Sequence, residues 1–304
     1  MDRGIRDEQI LLDDLIYPEG PRWHEGRLYV ADFYAREIVW CDLDGNKGKY
    51  LDVPGQPSGM GWLPDGRMLT VSMRDASVLV TDGINTEIVA DLSARSPCTN
   101  EMIVDRQGRA YVGGMMNVYS PDLDLADAGK KAGSNRAMEN LYLVDCSRGT
   151  SSAAVRVVAT DLNFPNGTVI TPDGRTLIVA ESMSQRLTIF DIAEDGSLEN
   201  RRNWAELSGM PDGICLDEEG CIWVAICFPE EKRAFQRIAE GGQVMDVITS
   251  SRVPMAVALG GPDRDHIFLV ETAVVGVADE PGLRVRGNGR VRTGRVPVPG
   301  PPFP

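Results

Sequence analysis

Polar side chains of cation-holding types recur at one fixed distance from a turn glycine. Counting seven or eight residues back from Gly26, Gly66, Gly108, Gly174 and Gly220 gives Glu19, Ser58, Asn100, Asn166 and Asp212. Four of the five lie between a proline and a glycine: Pro18-Glu19-Gly20, Pro57-Ser58-Gly59, Pro165-Asn166-Gly167 and Pro211-Asp212-Gly213. In the third repeat Pro97 sits earlier, ahead of Cys98, Thr99 and Asn100, and a sixth stretch, Pro254-Met255-Ala256, turns apolar. Brought together, two carboxylates and two carboxamides repel one another and lose hydration, and a divalent cation removes that cost. All-oxygen donors favour Ca2+, Mg2+ or Mn2+ over a thiolate-type zinc site, although carboxylates also bind Zn2+. Asn and Asp also follow proline simply because they form turns. Recurrence at equivalent places is what favours a site.

The elements that must position these residues follow from the turns. A turn followed by a short apolar strand appears at Glu25-Gly26-Arg27-Leu28-Tyr29-Val30, Asp65-Gly66-Arg67-Met68-Leu69-Thr70 and Gln107-Gly108-Arg109-Ala110-Tyr111-Val112. It recurs at Asp173-Gly174-Arg175-Thr176-Leu177-Ile178 and Glu219-Gly220-Cys221-Ile222-Trp223-Val224, with a degenerate sixth copy at Arg264-Asp265-His266-Ile267-Phe268-Leu269. The period of roughly 40–46 residues is that of a four-stranded propeller blade. Strong amphipathic helices are absent from the pattern. The expectation is an all-β, six-bladed β-propeller with four-stranded antiparallel blades around a central channel, one domain over residues 1–304. Equivalent positions then share one height and radius, so the polar residues converge at one end of the channel. Ring closure requires Ile10–Ile16 to pair with Arg290–Val298, leaving no open sheet edge. A longer gap before the fourth copy places an excursion at 117–138, read either as functional or as a solvated loop. Residues 299–304 are expected to trail off as a proline-rich tail.

Composition narrows the function classes. The formal net charge of −14 repels phosphate backbones and anionic lipid, so neither nucleic acid nor membrane is expected as a partner. The acidic first residues lack the apolar core of a signal peptide, and no run reaches a membrane span, giving the expectation of a soluble, cytoplasmic protein acting on a small molecule. Whether it is a monomer or a dimer stays open. The six cysteines are scattered without a Cys-x-x-Cys pair, as suits buried reduced thiols. With two histidines in the chain, His24 and His266, histidine-based mechanisms have few places to go.

Glu19-Gly20-Pro21-Arg22-Trp23, Asn100 before an apolar strand and Asp105, Asn166-Gly167, and Met210-Pro211-Asp212-Gly213-Ile214 with Trp223-Val224-Ala225 resemble the SMP-30/gluconolactonase/luciferin-regenerating family. The resemblance runs from about Tyr17 to about Val298 and is specific for the family more than for a substrate. It implies a six-bladed propeller with one divalent metal at the channel mouth and metal-dependent hydrolysis of lactones or related esters. Carried over, Glu19, Asn166 and Asp212 match the metal ligands, and Asn100 matches an asparagine beside the metal that contacts substrate. In that role a cation polarises the lactone carbonyl and lowers the pKa of water. Asp212 is a candidate proton acceptor and Asn100 a candidate oxyanion donor. Related propellers also hydrolyse phosphotriesters or run non-hydrolytic condensation and isomerisation, and a propeller can serve only as a protein-binding platform.

Two departures bear on substrate. Cys98 stands where the family's sugar-acid lactonases carry arginine, and Met115-Met116-Asn117-Val118 replaces an expected acidic residue. Losing a cation and a hydroxyl acceptor while gaining sulfur and methyl groups argues for a fairly apolar lactone, with Cys98, Met115, Met60 and Phe164 as substrate contacts. Trp23, Met183 and Phe228 are further candidates, and blade packing explains all of these equally well. Glu181 and Arg74 can reach a pocket rim or form salt bridges. His24 alternates away from Glu19 and is read as a surface residue.

Overall fold

Short apolar runs separated by polar turns can bury only one face each, so they pair into small sheets that stack on one another. The computed structural model describes residues 5–116, 138–274 and 284–302, and within them the chain forms six four-stranded antiparallel sheets arranged as a six-bladed β-propeller. The inner strands are Pro18–His24, Pro57–Trp62, Cys98–Val104, Pro165–Ile170, Met210–Leu216 and Val253–Gly260, counted here as blades one to six. Neighbouring blades seal through apolar layers. Ile103, Tyr111 and Leu143 of blade three, for example, are buried against Ile170, Leu177 and Phe190 of blade four. The expected excursion at 117–138 lies outside the described residues except for Met138, which begins the strand Met138–Asp145.

The ring closes as the spacing predicts. The N-terminal strand Arg6–Leu15 becomes the outermost strand of blade six, with Ile10 opposite Arg292 and Leu15 opposite Gly289. Inside that blade the buried Glu271 joins three elements: it pairs with Arg290 at 2.8 Å and Arg292 at 2.6 Å, and accepts from Ser250 at 2.5 Å. Arg292 also pairs with Glu8 on the closing strand. The chain end differs from the expected loose tail. The Glu218 N–H donates to Pro299 O at 2.9 Å and the Gly300 N–H to Arg264 O at 2.8 Å, tying residues 299–300 to blades five and six.

The second strands of blades one and four end in buried acids, Asp32 and Glu181, and that of blade six carries Glu271 one residue from its end; they lie opposite Pro18, Pro165 and Pro254. The physical reason is visible in two of them. The chain just before the proline leaves unpaired N–H groups, and the acid accepts them: Ile16 and Tyr17 donate to Asp32 at 2.9 and 2.8 Å, and Asn163 donates to Glu181 at 2.8 Å.

Candidate metal centre at the channel mouth

A β-bulge positions the recurring polar residues. Every inner strand loses register at the same place: between Glu19 and Arg22, Pro57 and Met60, Thr99 and Met102, Pro165 and Thr168, Pro211 and Ile214, and Pro254 and Ala256. Bulges bend a strand and re-aim its side chains. Here they break the strict in-and-out alternation at Glu19, Ser58, Asn100, Asn166, Asp212 and Met255. The following glycine has its own reason. A Cβ on Gly167 would lie 2.5 Å from Ile214 N and 2.6 Å from Asp212 O, and one on Gly213 would lie 2.4 Å from the Ala256 Cβ. Neighbouring inner strands touch backbone to backbone there, so Gly167→Ala is expected to cost about 1–3 kcal/mol. The urea midpoint measures this, and an unchanged midpoint would contradict so tight an approach.

Glu19, Asn100, Asn166 and Asp212 are all buried. Burial pushes the Asp212 carboxyl up to about 8, against the hydrogen bond it accepts from Asn166, with the charge of Glu101 adding to the rise. Burial likewise raises Glu19 well above the ordinary range, followed by the charges of Asp212 and Glu101. The two acids therefore sense each other across the channel, with Asn166 bonded to one of them. The Asn166 Nδ2 also donates to Ser182 Oγ at 3.3 Å, and Ser182 in turn donates to Pro211 O at 2.7 Å. Asn100 reaches the same blade, its Nδ2 donating to Pro165 O at 3.3 Å.

Two buried, mutually repelling carboxylates flanked by carboxamide oxygens fit a hard divalent cation. Among the described residues no three His, Cys, Asp or Glu side chains group as a ligand set, and the further oxygen donors near the two acids are the carboxamides of Asn166 and Asn100. A pH signature follows. Without cation, folded Asp212 keeps its proton up to about 8 while the unfolded chain loses it near 3.8, so the folded state binds more protons through that window. Stability must then fall as pH rises from about 4 to about 8. With chelator present, Tm is expected to drop by several degrees between pH 5 and pH 8. Added Ca2+, which binds the deprotonated ligands, should raise Tm more at pH 8 than at pH 5. Equal shifts at both pH values would count against these acids as ligands.

The remaining sequence candidates divide. Glu181 does not reach a pocket: fully buried, it pairs with Arg186 at 2.8 Å and Arg201 at 3.0 Å and accepts from Thr188. Met60 is fully buried among Tyr29, Ala31, Ile38 and Met68, between blades one and two. Cys98 and Met115 are directly paired across blade three and buried in the core. Phe164 is partly buried against that core, with a left-handed φ of 61°. Trp23 stacks on Phe268, and His24 stacks on Trp62 at 4.0 Å rather than lying free on the surface.

Sequence reading passed over three groups near the acids. Glu101 fills the place that glycine holds in four other repeats; its Oε2 pairs with Arg22 at 2.9 Å and its buried Oε1 has no hydrogen-bond partner. That break in the glycine pattern was its signal. Tyr17 is buried and lies within electrostatic range of Glu19, Asp212, Tyr34 and Cys227. Tyr17, Phe33 and Tyr34 pack edge to face, with Tyr17 and Tyr34 centroids 5.2 Å apart. Tyr17 directly precedes Pro18-Glu19, but nothing in the spacing brings residues 33 and 34 beside it. All six cysteines are free thiols, five of them buried.

The fold and these residues define a channel-mouth polar site on a closed six-bladed propeller, and the comparisons agree with that class. The family model described as SMP-30/gluconolactonase/LRE-like region matches residues 17–273, and the chain belongs to this family. A pentonolactonase of Haloferax volcanii is 27% identical over 264 residues, covering 83% of this chain and 80% of the relative. Diisopropyl-fluorophosphatase of Loligo vulgaris is 27% identical over 244 residues, covering 70% and 73%. The crystal structure of a calcium-binding protein, regucalcin, from Agrobacterium tumefaciens superposes with a TM-score of 0.74 at 20% identity, over 97% of this chain and 95% of that one, which bears on fold alone. Among the described residues no helix is long and apolar enough to cross a membrane.

Proposed function

We propose that this chain is a divalent-cation-dependent hydrolase of the SMP-30 family that opens a small, fairly apolar lactone or related ester, with Glu19, Asn166 and Asp212 holding the cation. The observation that carries this reading is the pair of buried acids with raised pKa values, one of them bonded to Asn166. Names of the relatives support the reaction class, since a pentonolactonase and a fluorophosphatase both hydrolyse. The oxygen-rich donor set favours Ca2+, with Zn2+, Mg2+ and Mn2+ as alternatives.

When bound, the cation supplies Lewis-acid polarisation and a counter-charge for the acids. The chain's own groups do the rest. Asp212, on the bulge of the fifth inner strand, accepts the proton of a water attacking the carbonyl carbon, in the ionised form that a bound cation would favour. The Asn100 Nδ2 holds Pro165 O by a long 3.3 Å bond, which it can exchange for the developing oxyanion. Tyr17, Phe33 and Tyr34 provide an apolar flank for the substrate body. Chelation should abolish hydrolysis of an alkyl lactone such as δ-decalactone, with Ca2+ restoring it. Glucono-δ-lactone and diisopropyl fluorophosphate, assayed alongside, separate this reading from a sugar lactonase and from a phosphotriesterase. Full activity after chelation and dialysis would defeat the metal assignment.

A further inference from the structure

The same channel opens at its other end into a cavity of about 480 Å3, lined by the far halves of all six inner strands and rimmed by residues 300–302. Its walls are apolar and aromatic, with Trp23 held flat against Phe268 and Trp62 held flat against His24. Its lining carries more cations than acids, with Arg22 paired to Glu101 and Arg264 to Glu218 at 3.9 Å. On a chain of net charge −14, the described lining residues include Arg22, Arg106 and Arg264 and a single acid, Asp105. That acid is consumed: it binds Arg109 Nε at 2.6 Å and accepts the Gln107 and Arg109 N–H groups at 2.8 and 3.0 Å.

Arg22 divides this cavity from the acids above it. Its Nη2 bridges Glu101 Oε2 and Met102 O, both at 2.9 Å, and its Nη1 donates to Pro21 O at 2.9 Å. Those bonds leave donors of its guanidinium fork over, and 21% of the side chain stays exposed, on the cavity side. A cationic group at the base of a largely apolar, aromatic cavity recognises an amphipathic anion.

We propose that this far cavity binds a small organic anion with an apolar body, its acid group on Arg22 and its body against Trp23 and Trp62. Occupancy is felt at the other end. An anion on Arg22 weakens the neutralisation of Glu101, whose charge then acts more fully on the region of Glu19 and Asp212 and tightens cation binding. This coupled effect, unlike the binding itself, rests on the metal-site reading.

The test is titration calorimetry with 2-naphthoate and its neutral analogue 2-naphthylmethanol, on protein in Ca2+ and in chelator. A ligand of this size on one charged anchor is expected to bind with a Kd of about 10–100 µM, with the alcohol at least about tenfold weaker. Ca2+ should tighten naphthoate severalfold, because coupling is reciprocal. Arg22→Met should abolish the preference for the acid. Since that variant strips Glu101 of its counter-ion and risks the fold, Leu259→Trp serves as the second: it fills the cavity, leaves both charges in place, and should weaken naphthoate at least about tenfold with lactone hydrolysis unchanged. Equal binding of acid and alcohol, binding unaffected by Leu259→Trp, or binding lost in Asp212→Ala overturns the cavity site. Equal affinity in Ca2+ and chelator overturns the coupling alone, and lactone hydrolysis that survives chelation overturns the metal reading alone.

Discussion

Asp212→Ala is expected to lower lactone hydrolysis by at least about 10³-fold, because one substitution removes both a cation ligand and the group placed to take the proton. Metal content after dialysis should fall with it, read by elemental analysis. A loss of activity alone would not distinguish a chemical role from a structural one, and the electrostatics offer a separate readout. Asp212 is buried beside Asn166 and raised to about 8, so in the absence of cation its ionisation opposes folding above about pH 4. Asp212→Asn should therefore raise Tm in chelator at pH 8 while abolishing activity. A gain in stability with a loss of function is what a site under strain produces. Activity within a few fold of the parent in either variant would remove Asp212 from the mechanism.

Glu271→Ala should act in the opposite sense, on folding and without direct effect on the chemistry. Glu271 has no solvent exposure and holds Arg290, Arg292 and Ser250 together. Its loss takes the buried anion from Arg290 and leaves Arg292 with the half-exposed Glu8, and breaking one side of a buried pair costs about 3–5 kcal/mol. The expected result is a lower urea midpoint. Ca2+ should restore part of this loss by mass action if the site survives, since a ligand bound only by the folded state stabilises it. A midpoint within the scatter of a surface substitution would mean that the closing blade is held by its ladder alone.

The blade count, the ring closure and the convergence of Glu19, Asn166 and Asp212 were legible because a propeller is a repeat. Equivalent letters at a fixed interval become equivalent places, and the Pro-x-Gly signature marks a bulge where a side chain is re-aimed and a backbone comes close. The expected apolar contacts were less legible. Met60 and Met115 sit on strands whose two faces are both buried, so periodicity cannot say which face looks toward a ligand and which toward the next blade. Glu181 was ambiguous for another reason: an acid at a strand end serves a pocket rim and a proline-flanked N–H group equally well, and Arg186 and Arg201 decide it only in three dimensions. Glu101 was hidden by the same rule that revealed its neighbours, since it stands where the pattern lapses.

The closing strand has a consequence for synthesis. Glu8 finds its partner Arg292 only across 284 positions of chain. At roughly 5–20 residues per second, a ribosome needs on the order of 15–60 s to deliver that partner. Throughout that interval the strand Arg6–Leu15 has been made and its pairing partner, the strand Gly289–Arg295, is incomplete. Its charge pattern suits the wait: Arg6, Asp7, Glu8, Asp13 and Asp14 make it a poor template for pairing with another nascent chain.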